Sequence, residues 1–193
     1  MPEKQGLPVL VFADAKEWED WLAKNHDTAK GVWITFAKKG ADTATVTYPE
    51  AVEAALCQGW IDGQAAGVDE SFWLQRFTPR GPRSKWSQIN CARAERLTDA
   101  GRMQPAGLAT IEAARQDGRW DAAYAPPSTA TVPPDLQAAL DADPGAAAFF
   151  GTLTGTNRYA ILYRIADAKR PETRARRIEH FVEMLSRGQT LHP

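Results

Sequence analysis

The sequence predicts an α+β fold: a small, mainly antiparallel sheet with helices in the N-terminal half, and an all-helical C-terminal half packed on it. Three observations carry this. Runs of β-branched and aromatic residues at 31–37, 60–63 and 72–78 all lie before Pro79. Helix-capping pairs alternate with those runs. Beyond Pro82 only helical periodicities remain, as far as Gly188.

Asp14 followed by Glu17 is a capping pair, and Trp18, Trp21 and Leu22 follow at i, i+3, i+4. The run Gly31-Val32-Trp33-Ile34-Thr35-Phe36-Ala37 is apolar on both alternating faces, which predicts a central strand. Residues 44–47 read as a short returning strand. Thr47-Tyr48-Pro49-Glu50 is a capping box with proline in the first turn, and it opens a helix that ends at Gly59. Trp60–Gly63 and Phe72–Thr78 form a second sheet segment around a turn near 67–71. Helices follow at about 87–100 and 105–117, stopped by Gly101 and Gly118. The stretch 125–134 has prolines at both ends and no charge, so it reads as a linker. It separates a region 1–125 from a helical module 126–193, expected to form one compact unit with the first. The module holds three short helices and a last one opened by Pro171. In that last helix Ile178, Phe181, Val182 and Leu185 should face the core, with Arg174, Arg177 and Glu183 solvated.

With 193 residues, 44% of them hydrophobic and 24% charged, the chain can bury about 70% of its extended surface without staples. Its formal charge is −1, so no global basic excess points to nucleic acid or a membrane surface. Cys57 and Cys91 show no CxxC spacing, and no export signal precedes the acidic stretch at Asp14–Asp20; both predict a reduced, cytoplasmic protein. No run approaches the roughly 20 apolar residues of a membrane-spanning helix. His26, His180 and His192 lack metal-ligand spacing, and the GxSxG, GxGxxG and GxxxxGK[ST] motifs do not occur. The sequence therefore indicates no metal and no cofactor, and names no catalytic residue.

Charge is nevertheless concentrated. From Arg76 to Arg102 there are seven cations (Arg76, Arg80, Arg83, Lys85, Arg93, Arg96, Arg102) against Glu95 and Asp99. Ser84 and Ser87 can cap the helix that follows, whose free N–H groups would face the same place, a composition suited to an anion. The plain alternative is a solvated basic loop whose arginines pair with the six acids of residues 112–143. Gly59-Trp60-Ile61-Asp62-Gly63 holds a tryptophan and an acid between two glycines. There Asp62 either orients Arg76 or Arg80 or binds a ligand, or simply accepts backbone N–H bonds in a turn. A third segment, 169–177, has five cations and one acid, with Glu172 and Arg176 spaced for an i, i+4 pair. It reads as a polar helix face or as a phosphate contact.

These segments resemble a known family. Residues 54–63, AALCQGWIDG, are similar to its ALxxGWIDG motif. Residues 76–90, RFTPR through SKWSQIN, resemble its RfTPR…S.WS..N motif. Residues 132–178 resemble its C-terminal vPxDLxxAL…AKxxETRxxRI module. This is the YdeI/OmpD-associated (OmdA, bacteriocin-protection) family. The resemblance implies a stress role, resistance to antimicrobial peptides and association with an outer-membrane porin, in a family sometimes described as periplasmic. The resulting expectation is a protein that binds an anionic small molecule or protein partner, bearing phosphate or carboxylate. The candidate residues are Trp60, Asp62, Arg76, Arg80, Arg83, Ser84, Lys85, Trp86, Ser87 and Asn90. One alternative is an enzyme using Asp62 as acid or base, with Arg76, Arg80 and Lys85 holding the substrate anion. A nucleic-acid binder using both basic segments is not favoured by the overall charge.

Overall fold

A computed structural model describes residues 2–193. The chain divides into two compact units, Met1–Ala123 and Tyr124–Pro193. Among the described residues, all five strands lie in the first unit and helices alone make up the regular structure of the second, so the fold class is α+β.

The first unit begins with β1 (Glu3–Lys4), β2 (Leu7–Leu10), α1 (Ala15–Asn25), β3 (Val32–Ala37) and α2 (Tyr48–Cys57). It continues with β4 (Trp60–Gly67), β5 (Phe72–Pro79), α3 (Gln88–Asp99) and α4 (Pro105–Gln116). The strand order is β1-β2-β3-β5-β4, with β3 central. Only β2 pairs in parallel, against β3; the other pairs are antiparallel. The expected returning strand at 44–47 is a loop instead. The Thr45 hydroxyl accepts the Ala37 N–H at 2.9 Å, and the Val46 N–H donates to the Phe12 carbonyl, so no ladder with β3 forms there.

Alternation of side chains puts Val32, Ile34, Phe36 and Phe77 on one sheet face, where they pack with Trp18, Leu22 and Val52 from α1 and α2. The helices start where their caps require. The Asp14 carboxylate accepts the Glu17 N–H, and Thr47 and Glu50 form a reciprocal capping box. The buried indoles of this core are satisfied. Trp18 Nε1 donates to the Ala51 carbonyl and Trp60 Nε1 to the His26 carbonyl, each at 3.0 Å. A second cluster joins the end of α2 to α3 and α4 through Leu56, Trp86, Leu97 and Ile111.

Two glycines allow the close crossing of α4 over the end of α2. Gly59 has φ +73°, and a Cβ there would lie 2.9 Å from the Ala106 carbonyl oxygen. At Gly107 a Cβ would sit inside van der Waals contact with the Cys57 carbonyl oxygen and 2.7 Å from Met103 Cε. That carbonyl also accepts the Gln104 N–H.

The second unit contains α5 (Pro134–Asp141), α6 (Pro144–Thr152), α7 (Gly155–Ala166) and α8 (Pro171–Ser186). Here α8 packs against the other three. Ile178, Phe181, Met184 and Leu185 are buried, and Val182 is half-buried against them. Buried Asn157 holds the C-terminal tail, accepting the N–H groups of Leu191 and His192 and donating to the His192 carbonyl.

A prediction follows from the α2–α4 crossing. Gly107→Ala inserts a methyl against a backbone carbonyl that cannot rotate away. It should cost about 1–3 kcal/mol by overpacking, or more if α4 is forced off α2. Chemical denaturation of the full chain measures this, and an unchanged midpoint would contradict the packing described.

Candidate functional site

The segment from Pro79 to Asn90 leaves β5 and enters α3, and its shape is held by arginines. Arg80 is 8% exposed. Its guanidinium lies 3.8 Å above the Trp86 ring and donates from Nη1 to the Lys85 carbonyl at 2.9 Å. From the far side Arg119 donates to the Ser84 carbonyl at 3.0 Å, while its Nε is bound by Asp117. The Ser84 N–H donates back to the Gly81 carbonyl. Trp86 is buried against Trp120, with ring centroids 4.8 Å apart, and the Arg115 guanidinium lies 4.9 Å from the Trp120 ring. Each ring of this tilted indole pair therefore carries a cation, Arg80 on Trp86 and Arg115 on Trp120.

Each candidate residue has a definite place. Ser87 is the N-cap of α3 and accepts the Asn90 N–H at 3.1 Å; Ser84 does not cap. The Asn90 side chain accepts from Arg93 Nη1. Trp60 is core. Asp62 accepts the Tyr48 hydroxyl at 2.7 Å and stands opposite Phe77, on the sheet face that carries α1 and α2. Arg76 stands opposite Trp33 and so lies on the other face. A bulge sets Gly63 and Gln64 against Arg76, whose buried Nε has no hydrogen-bond partner among the described residues. Arg80 and Trp86 thus meet each other, Ser87 and Asn90 meet at the helix start, and Asp62 and Arg76 are separated by the sheet.

The remaining cations of the basic stretch are largely neutralised. Arg96 and Arg102 both pair with Glu53, and Arg102 also reaches Glu19. Two side chains at the turn into α3 point outward: Arg83 and Lys85 are exposed. Arg83 makes no hydrogen bond or ion pair among the described residues, and the first turn of α3 contains no acid. Sequence reasoning missed Arg115, Arg119 and Trp120 as partners of this loop; the ring–cation contacts leave no local spacing to read.

Nucleophile chemistry at the cysteines is disfavoured. Both thiols are free and buried. Burial, then the neighbouring Glu95 charge, pushes Cys91 up to about 11, and burial raises Cys57 as well. Among the described residues, no three His, Cys, Asp or Glu side chains are grouped to hold a metal ion. Among the described residues, no helix is long and apolar enough to cross a membrane.

The basic segment of the second unit is a clamp. Arg174 binds the Asp135 carboxylate with two nitrogens, at 2.5 and 2.9 Å, and donates Nη1 to the Ile165 carbonyl at 2.9 Å. Arg177 bonds the Arg164 carbonyl. Both arginines therefore bind the last carbonyls of α7, where the helix dipole favours cations. The expectation that Arg174 is solvated is corrected: its side chain is 27% exposed and joins α5, α7 and α8. Glu172 and Arg176, spaced for a pair, do not form one among the described residues.

The Arg174 guanidinium holds the Asp135 carboxyl below its ordinary value. A depressed carboxylate stabilises the fold above its unfolded pKa, near 4, and that contribution fades as pH falls through the lower folded value. Arg174→Ala should lower stability by about 1–2 kcal/mol at neutral pH, a figure held down by the partial exposure of the pair. Asp135→Asn should flatten the acid limb of the stability curve below about pH 4. Denaturation curves across pH check both, and an unchanged acid limb in the Asn variant would contradict the coupling.

Comparison with known families divides the chain much as the contacts do. Residues 10–110 match a family described as Domain of unknown function (DUF8412), a span that includes the GWIDG and TPR…SKWS segments. Residues 129–188, with the Arg174 clamp, match the family described as Bacteriocin-protection, YdeI or OmpD-Associated. Comparison with curated proteins and with solved structures found no match. The chain belongs to the DUF8412 family through its front unit and carries a bacteriocin-protection (OmdA) domain behind it.

Proposed function

We infer that this protein acts by binding in protection against bacteriocins or related antimicrobial peptides, and that the turn at the head of α3 is its contact for an anionic ligand bearing phosphate or carboxylate. The family description of residues 129–188 supports the first part. One observation carries the second. The turn's own carbonyls, at Ser84 and Lys85, are already bound by Arg119 and Arg80, so its shape does not wait for a ligand. On that braced turn Arg83 and Lys85 are exposed, and the helix behind them starts without an acid. Exposed cations on a braced backbone, beside helix N–H groups, favour an anion, because little backbone entropy is lost on binding.

The test uses inorganic phosphate as probe, followed by backbone amide shifts. Shifts should concentrate in residues 83–90. The Arg83→Ala/Lys85→Ala double variant should keep its fold and bind about tenfold more weakly, or worse, since hydrogen bonds to charged groups are lost. Shifts elsewhere, or unchanged affinity in the double variant, would overturn the assignment.

A further inference from the structure

The far end of the same helix carries the opposite chemistry. Glu95 and Asp99 are i, i+4 on α3, and Leu108, Ile111 and Glu112 are i, i+3, i+4 on α4. These faces line a groove of about 440 Å³ together with Thr98, Arg115 and Trp120. Its apolar lining is Leu108, Ile111 and Trp120. Leu108 is 42% exposed, one of few large apolar side chains left in solvent. Ile111 and Trp120 continue the same surface inward.

The rim is acidic, and its arrangement costs stability. Glu95 and Asp99 repel as a like-charged i, i+4 pair. Asp99 sits in the last turn of α3, where the helix dipole disfavours an anion. Neither forms an ion pair among the described residues, and the hydrogen bond of Glu112 is to the neutral Gln116 amide. The groove cation, Arg115, already lies against the Trp120 ring. Unneutralised carboxylates around an exposed apolar strip complement a ligand with cations flanking an apolar face. The groove is lined by one turn of α3, Glu95–Asp99, and two turns of α4, Leu108–Arg115, a stretch of about 10 Å. That length suits about two turns of a short helix.

We propose that the α3–α4 groove binds a short cationic amphipathic peptide, its leucine-type side chains on Leu108, Ile111 and Trp120 and its lysines or arginines on Glu95, Asp99 and Glu112. The site is separate from the anion contact, so either can fail without the other.

The experiment measures anisotropy of a labelled synthetic peptide with leucine and lysine in helical alternation, added to the full-length protein. Two control peptides replace the lysines by glutamate or the leucines by serine. The lysine–leucine peptide should bind, weaken with added salt, and outcompete both controls. Glu95→Gln/Asp99→Asn/Glu112→Gln should bind about tenfold more weakly, the expected loss for three exposed pairs. That variant relieves repulsion, so its fold should be retained. Leu108→Ser should also weaken binding, which separates the groove from a diffuse charge effect. Equal affinity in the triple variant, or equal binding of the serine control, would overturn the proposal.

Discussion

The Arg80 guanidinium decides how the front unit presents its basic turn. Buried over Trp86 and bonded to the Lys85 carbonyl, it closes the loop that follows β5 onto its own next residues. A planar guanidinium can do both at once, with a ring against its face and a carbonyl at its edge. Lysine offers no such plane. Once Arg80 is placed, Trp86 is fixed, Trp120 packs on it, and Ser87 falls where the first N–H groups of α3 need a cap.

The second unit uses the same device with different helices. Arg174 and Arg177, in the opening turns of α8, hold the end of α7 through the Ile165 and Arg164 carbonyls, and Asp135 brings in α5. In both units, arginines that suggest ligand contacts when read along the chain instead bind backbone carbonyls of a loop and of a helix end. Arg83 stands apart: it is exposed on the braced turn and makes no hydrogen bond or ion pair among the described residues.

Much of the fold was legible because its signals are local. The caps at Asp14, Thr47 and Ser87 hold where their spacing places them, and glycines at 101, 118 and 188 end helices with positive φ. What the sequence hid was long-range. Leu7–Leu10 is a short run containing proline, and its parallel pairing with β3 depends on a partner beyond α1. Thr45 looked like strand and works as a side-chain acceptor. At the site the cations could be counted but not their partners: Arg119 meets Ser84 from 35 residues away, and Asp62 turns to Tyr48. Exposure of Leu108 beside three acids follows from how α3 and α4 pack, which periodicity alone does not show.

The turn at 81–87 is rigid before any ligand arrives, because arginines hold its carbonyls. Native-state hydrogen exchange at the Ser84 amide, which donates to Gly81 at 3.0 Å, tests it most directly. In the ligand-free protein this amide should be protected. Arg80→Met should strip that protection while the β3 and β5 amides keep theirs. Exchange of Ser84 at an unprotected rate in the unaltered chain would contradict the account.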